Sequence, residues 1–149
     1  MAALVECSID ISRRPEDVFS YATDLSRYAE WQSAVVSACV HDDVPAAVGS
    51  TAAVTRRVGP RKLHTTEEIT ELAPPTVWTV RGVGGPFIAT AEGRIKPLDD
   101  GQRSRIKIAL ELDAHGIGKL LVRFAARQAR RQLPRDARAL RERLERADV

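Results

Sequence analysis

Residues Ile9 to Trp31 read IDISRRPEDVFSYATDLSRYAEW. The segment is entered by a strand: Val5, Cys7, Ile9 and Ile11 are apolar and alternate with Glu6, Ser8 and Asp10, the period of a half-buried strand. Ser12 to Arg14 ends it. Pro15 suits a first helical turn, where its missing N–H costs nothing, and Glu16 and Asp17 suit the positive end of the helix dipole. Val18, Phe19 and Ala22 then give a short apolar face. Asp24 or Ser26 can cap a second helical piece carrying Tyr28 and ending on Glu30-Trp31. Four aromatic residues, Phe19, Tyr21, Tyr28 and Trp31, fall in a chain that is only 5% aromatic. The segment therefore predicts a strand, then two short helices, with a concentrated aromatic corner.

The remainder reads as strands separated by turn residues. Val35 to Val40 is a strand candidate, followed by a loop, His41 to Gly49, with Asp42, Asp43, Pro45 and Gly49. Ser50 to Val58 follows, and Gly59-Pro60-Arg61 turns into Lys62 to Leu72. Ala73-Pro74-Pro75 breaks the chain before Thr76 to Val83, where Trp78 and Val80 share a face. Gly84-Gly85-Pro86 leads into Phe87 to Pro97, with Phe87, Ala89, Ala91, Gly93 and Ile95 on one side. Asp99-Asp100-Gly101 is a hairpin signal of the left-handed kind. In Arg105 to Ala114, Ile106, Ile108, Leu110 and Leu112 alternate with Lys107, Ala109, Glu111 and Asp113. After the stop at His115-Gly116, Ile117, Leu120, Leu121, Phe124, Gln128, Leu133, Ala137, Leu140 and Leu144 recur at helical spacing. A helix from about Gly118 to Arg146 is predicted, with a kink or break near Arg130 to Pro134 where proline interrupts it. Leu120, Leu121 and Phe124 are expected to pack on Ile106, Ile108, Leu110 and Leu112. The order β-α-α-β-β-β-β-β-β-α, with short turns between strands, predicts an antiparallel α+β fold.

At 149 residues the chain predicts one domain, 1–149. No apolar run approaches the roughly 20 residues of a membrane span, and the N-terminus lacks a basic-then-apolar leader, so a cytoplasmic location is expected. Cys7 and Cys39 have neither a CxxC partner nor a histidine at metal spacing, and read as small buried groups in strands. No metal and no cofactor are expected. Gly82-Val83-Gly84-Gly85-Pro86 lies between two strands, so it reads as a turn and not a phosphate loop. Net charge is +3, but Ile117 to Val149 holds ten basic and four acidic residues. Pairs such as Arg138/Glu142 and Arg141/Glu145 favour a solvated face with local pairing, and no nucleic acid is expected. Partner or anionic-surface binding through this Arg-rich helix is the alternative.

The pattern of strand, Arg-Pro-Glu-Asp-Val-Phe, Asp-Leu, Tyr and Trp resembles the N-terminus of the START-like (SRPBCC) superfamily, and within it the polyketide cyclase/dehydrase and lipid-transport family. The resemblance implies a helix-grip fold: a curved antiparallel sheet of six or seven strands around a long C-terminal helix, enclosing an apolar cavity. It implies a small hydrophobic ligand such as a polyketide, lipid or sterol, held by a monomer or homodimer. Tyr28, Trp31, Trp78, Phe87, Phe124 and Leu121 fall on or near the elements that wall the cavity in that family. In the family, polar residues inside the cavity separate cyclases from binders.

Three residues could supply such chemistry, as acid, base or oxyanion partner: His64, Glu67 and Arg81. His64 is the one histidine placed within a predicted strand, on the face of Thr66, Glu68 and Leu72. Alternation puts Glu67 on the opposite face from His64, and Arg81 opposite Trp78. The reading preferred for Glu67, Arg81 and Arg94 is a solvated convex face with cross-strand pairs. Binding is accordingly favoured over catalysis.

Overall fold

The computed structural model describes residues 2–41, 45–114, 116 and 118–146. Asp42, Asp43, His115, Ile117 and Asp148 of the sequence reading lie outside them. Seven strands form one curved antiparallel sheet in the order β1-β7-β6-β5-β4-β3-β2. They are β1 (Ala2–Ile11), β2 (Val35–Val40), β3 (Thr51–Val58), β4 (Arg61–Ala73), β5 (Val77–Val83), β6 (Ile88–Leu98) and β7 (Arg103–Asp113). β2 to β7 form a meander of neighbours. β1 closes on β7 along its full length, from Ala2 opposite Asp113 to Ile11 opposite Ser104. The chain passes from one sheet edge to the other through α1 (Pro15–Ala22), a 3-10 turn (Leu25–Arg27) and α2 (Tyr28–Trp31). The Asp24 carboxylate accepts from the Ser26 N–H at 3.1 Å, the expected cap. The Asp99-Asp100-Gly101 connection is left-handed at all three residues, with φ of 50°, 55° and 86°. This backbone is tolerated by Asp and Gly and resisted by bulkier residues.

α3 (Gly118–Arg146) continues as one helix through Pro134, so of the expected kink or break the break does not occur. Pro134 and Arg130 both lie on the exposed side. There, water can take the carbonyl that proline leaves unbonded. The helix end is tied back to the start of the chain: Ser12 N–H donates to the Glu145 carboxylate at 2.8 Å, and Arg13 donates to the Leu144 carbonyl at 2.6 Å. Glu142 lies 3.9 Å from Arg146. Both helix acids thus have partners other than the expected Arg138 and Arg141.

The phase of α3 also differs from expectation. Gly118, Val122, Ala125, Ala126, Ala137, Leu140 and Leu144 face inward. Leu120 is 74% and Phe124 49% exposed, and Leu121 is half-buried. Ile106, Ile108 and Leu112 are buried as predicted. Val5, Leu112 and Ala114 pack with Val122, Ala125 and Ala126, while Leu140 and Leu144 join the larger core of α1, α2 and the sheet. Small residues on the first half of the inward stripe leave space between helix and sheet. Cys39 is exposed and Cys7 half-buried. Neither is a core residue: Cys39 shares the exposed alternation of Ser37, and Cys7 is only partly covered.

Candidate functional site

The space between the middle of α3, Ala125 to Asp136, and the concave sheet holds a pocket of about 170 Å³. Alternation supplies its walls: Trp78, Val80 and Gly82 from β5, Phe87 just before β6, Ala89, Ala91 and Gly93 from β6, and Ile108, Leu110 and Leu112 from β7. Leu110 is only partly buried because it borders this space. α2 contributes Tyr28 and Trp31, and α3 contributes Ala125, Ala129 and Leu133. Trp78 lies directly over Gly93, its partner across the strands, and a Cβ there would fall inside the indole ring. Phe19 meets the same ring edge-to-face at 5.5 Å. Gly93 is thus required by close approach, and the Trp78 ring is fixed from two sides.

One wall is polar. Arg56 of β3 binds Glu67 of β4 through two bonds, Nε to Oε2 at 2.7 Å and Nη2 to Oε1 at 3.0 Å. Its Nη1 donates to Gln32 Oε1 at 2.8 Å. Glu67 is buried, against the expectation of a convex-face residue. The physical reason is this fork, which satisfies both carboxylate oxygens and lets the charge leave water. Burial works against the Arg56 charge, but the adjacent Glu67 outweighs it and holds the guanidinium pKa above its ordinary value. Across the pocket, Asp136 of α3 accepts from the Ser33 N–H at 3.0 Å. Burial raises its carboxyl pKa above the usual range, opposed by the Ser33 bonds and by Arg56. Burial, then the nearby Glu67 charge, likewise raises the Tyr28 phenol. The Trp31 indole N–H is buried and has no acceptor among the described residues. A buried donor left unpaired costs about 1–3 kcal/mol.

Tyr28, Trp31, Trp78, Phe87 and Glu67 are brought together here. Phe124 and Leu121 are not among the lining residues: the Phe124 ring covers Gly59 of the β3–β4 turn. His64 and Arg81 are exposed on the outer face, with His64 Nδ1 3.0 Å from Thr55 Oγ1. Leu72 does not share the His64 face. A bulge between Ile69 and Glu71 shifts the register and turns Leu72 onto the core. The sequence reading missed Arg56, Gln32 and Asp136. A signal for Arg56 was present, because Ala52, Val54 and Arg56 share one alternation.

A family model described as polyketide cyclase / dehydrase and lipid transport matches residues 2–145. No curated protein matches the chain. Among solved structures it is similar to the Zhui aromatase/cyclase of a Streptomyces species, with TM-score 0.82, 15% identity, and coverage of 98% of this chain and 95% of that one. A START superfamily protein from Mycobacterium smegmatis gives 0.76 at 14% identity, covering 96% and 97%. Norcoclaurine synthase from Thalictrum flavum, solved with dopamine and hydroxybenzaldehyde, gives 0.71 at 11% identity, covering 100% and 90%. These likenesses show the helix-grip fold.

Proposed function

The chain belongs to the polyketide cyclase/dehydrase and lipid transport family, and on that premise we propose that it binds a small, flat, mainly apolar ligand carrying an oxygen acceptor in the pocket between sheet and α3. The observation that carries this reading is a pocket walled mainly by rings and aliphatic groups beside one polar wall, with Trp31, whose indole N–H has no acceptor among the described residues, on its border. A ligand carbonyl or phenol oxygen would satisfy that donor once the indole, whose N–H is closed off from the pocket space, turns toward it, while the ligand ring lies against Trp78 and Phe87. The volume, about 170 Å³, is close to the ~150 Å³ of a dry cavity that takes up benzene. It suits one or two rings better than a sterol.

Calorimetric titration with 1-indanone, a bicyclic aromatic ketone, tests this. Wild type is expected to give saturable heat. Ala129→Trp, which fills the pocket, should abolish it, and Trp31→Phe should weaken it about tenfold through loss of one hydrogen bond. Equal binding by the filled variant would refute the reading.

A second reading, a cyclase acting on a pocket-bound polyketide, is favoured by the polar wall. In this reading Arg56, held by Glu67 and Gln32, would stabilise an enolate oxygen through its remaining N–H groups, and Asp136, whose burial favours its neutral form, would pass a proton. Cyclised product formed from a short poly-β-ketone by wild type but not by Arg56→Gln would establish it. No product from either would leave binding alone.

A further inference from the structure

The β3–β4 turn, the β5–β6 turn and the first turns of α3 meet at one end of the molecule. The Phe124 ring covers Gly59, 2.8 Å from where a Cβ would stand. The Gln128 side chain clamps the same turn, accepting from Gly59 N–H at 2.8 Å and donating to the Arg57 carbonyl at 2.9 Å. Gly118 packs on the Pro86 carbonyl.

Two of the three segments that meet here are basic, and Asp113, at the end of β7 opposite Ile88, is a carboxylate at the same end. Residues 51–66 contain four cations and no acid, residues 118–135 six cations and no acid, and residues 82–91 no charge at all. Arg56 is engaged inward with Glu67. Arg57, Arg61, Lys62, Lys119, Arg123 and Arg127 are exposed, and none forms an ion pair among the described residues. Lys119, Arg123 and Arg127 form one row on α3, and Leu120 and Phe124 form the adjacent row. Leu120, at 74% exposure, is the most open large apolar side chain among those described.

We propose that this end docks on an anionic phospholipid bilayer, with Leu120 and the Phe124 edge entering the acyl boundary and the six cations meeting lipid phosphates. Exposed aliphatic surface ringed by cations matches a bilayer, which offers hydrocarbon beneath negative charge. A phosphodiester backbone offers nothing to a leucine side chain. No described helix is long and apolar enough to cross a membrane, so α3 lies on the surface. Val58, Gly85 and Phe87 of the same turns line the pocket, so docking sets that pocket wall against the bilayer. The proposal does not rest on what the pocket binds.

Co-sedimentation with vesicles of phosphatidylcholine, with and without phosphatidylserine, tests it. The full chain should sediment only with the anionic vesicles and be released by salt. Arg123→Gln with Arg127→Gln should weaken binding about thirtyfold, at about fivefold per cation. Leu120→Trp reports insertion, and circular dichroism checks that each variant folds. Its emission should shift to the blue on anionic vesicles. Equal sedimentation with neutral vesicles, sedimentation with neither, an unshifted emission, or tighter binding to duplex DNA at the same salt would each overturn the proposal.

Discussion

Arg56 and Glu67 show how much one pair can decide. Taken singly, each charge reads as an outer-face residue, because an isolated ion leaves water only at high cost. Together on adjacent strands, with inward parity shared with Ala52, Val54 and Ile69, they form a fork that both occupy at little mutual expense. The sequence carries the parity but not the pairing, which depends on β3–β4 register. Removing one partner strands the other. Glu67→Ala and Arg56→Ala are each expected to cost about 3 kcal/mol in urea unfolding, the Arg56 change at the lower end because its side chain is 27% exposed. The double change Arg56→Met with Glu67→Leu should cost clearly less than the two single losses added. Additive losses would mean that the pair is not coupled. His64 shares its face with exposed Thr66 and Glu68, so it does not point into the pocket as a catalytic role would require.

At the level of elements, strands were legible because their apolar residues alternate and Gly, Pro and Asp punctuate them. β7, with Ile106 and Ile108 buried, is the clearest instance. α3 was legible in extent but not in rotation. Its first three turns are apolar on several sides, from Leu120, Leu121 and Val122 to Phe124, Ala125 and Ala126. Hydrophobicity alone favours the larger side chains as the buried row. The fold chooses the smaller ones, since alanines let the helix sit on the sheet beside the pocket while Leu120 and Phe124 face outward. Leu140, fully buried in the larger core, and Leu120 therefore part company on truncation. Leu140→Ala should destabilise by about 3 kcal/mol through the cavity left. Leu120→Ala should change stability by no more than about 0.5 kcal/mol. Equal losses at both positions, in thermal or urea unfolding, would contradict this rotation of the helix.

For the whole molecule, the order of elements carries the architecture. After a strand, two short helices and a six-strand meander, β1 pairs back against β7, and the curved sheet holds the long helix α3. The aromatic corner of α1 and α2 fills one end, and the small residues of α3 keep the space beside it open. That a space lies between sheet and C-terminal helix was implied by the family resemblance. Its polar wall was not, because Gln32, Arg56 and Asp136 come from three separate elements and converge only in three dimensions. Amide and indole ¹H–¹⁵N correlation spectra would show uptake of a small aromatic ligand against Trp31. The chain has two tryptophans, so two indole signals report the site. Titration with 1-indanone should move the Trp31 Nε1–H signal downfield in a saturable way, together with amides of Ala89, Ala91 and Ala129. Indole signals that stay fixed up to the solubility limit of the ketone, with any shifts confined to the outer face around His64 and Arg81, would contradict it.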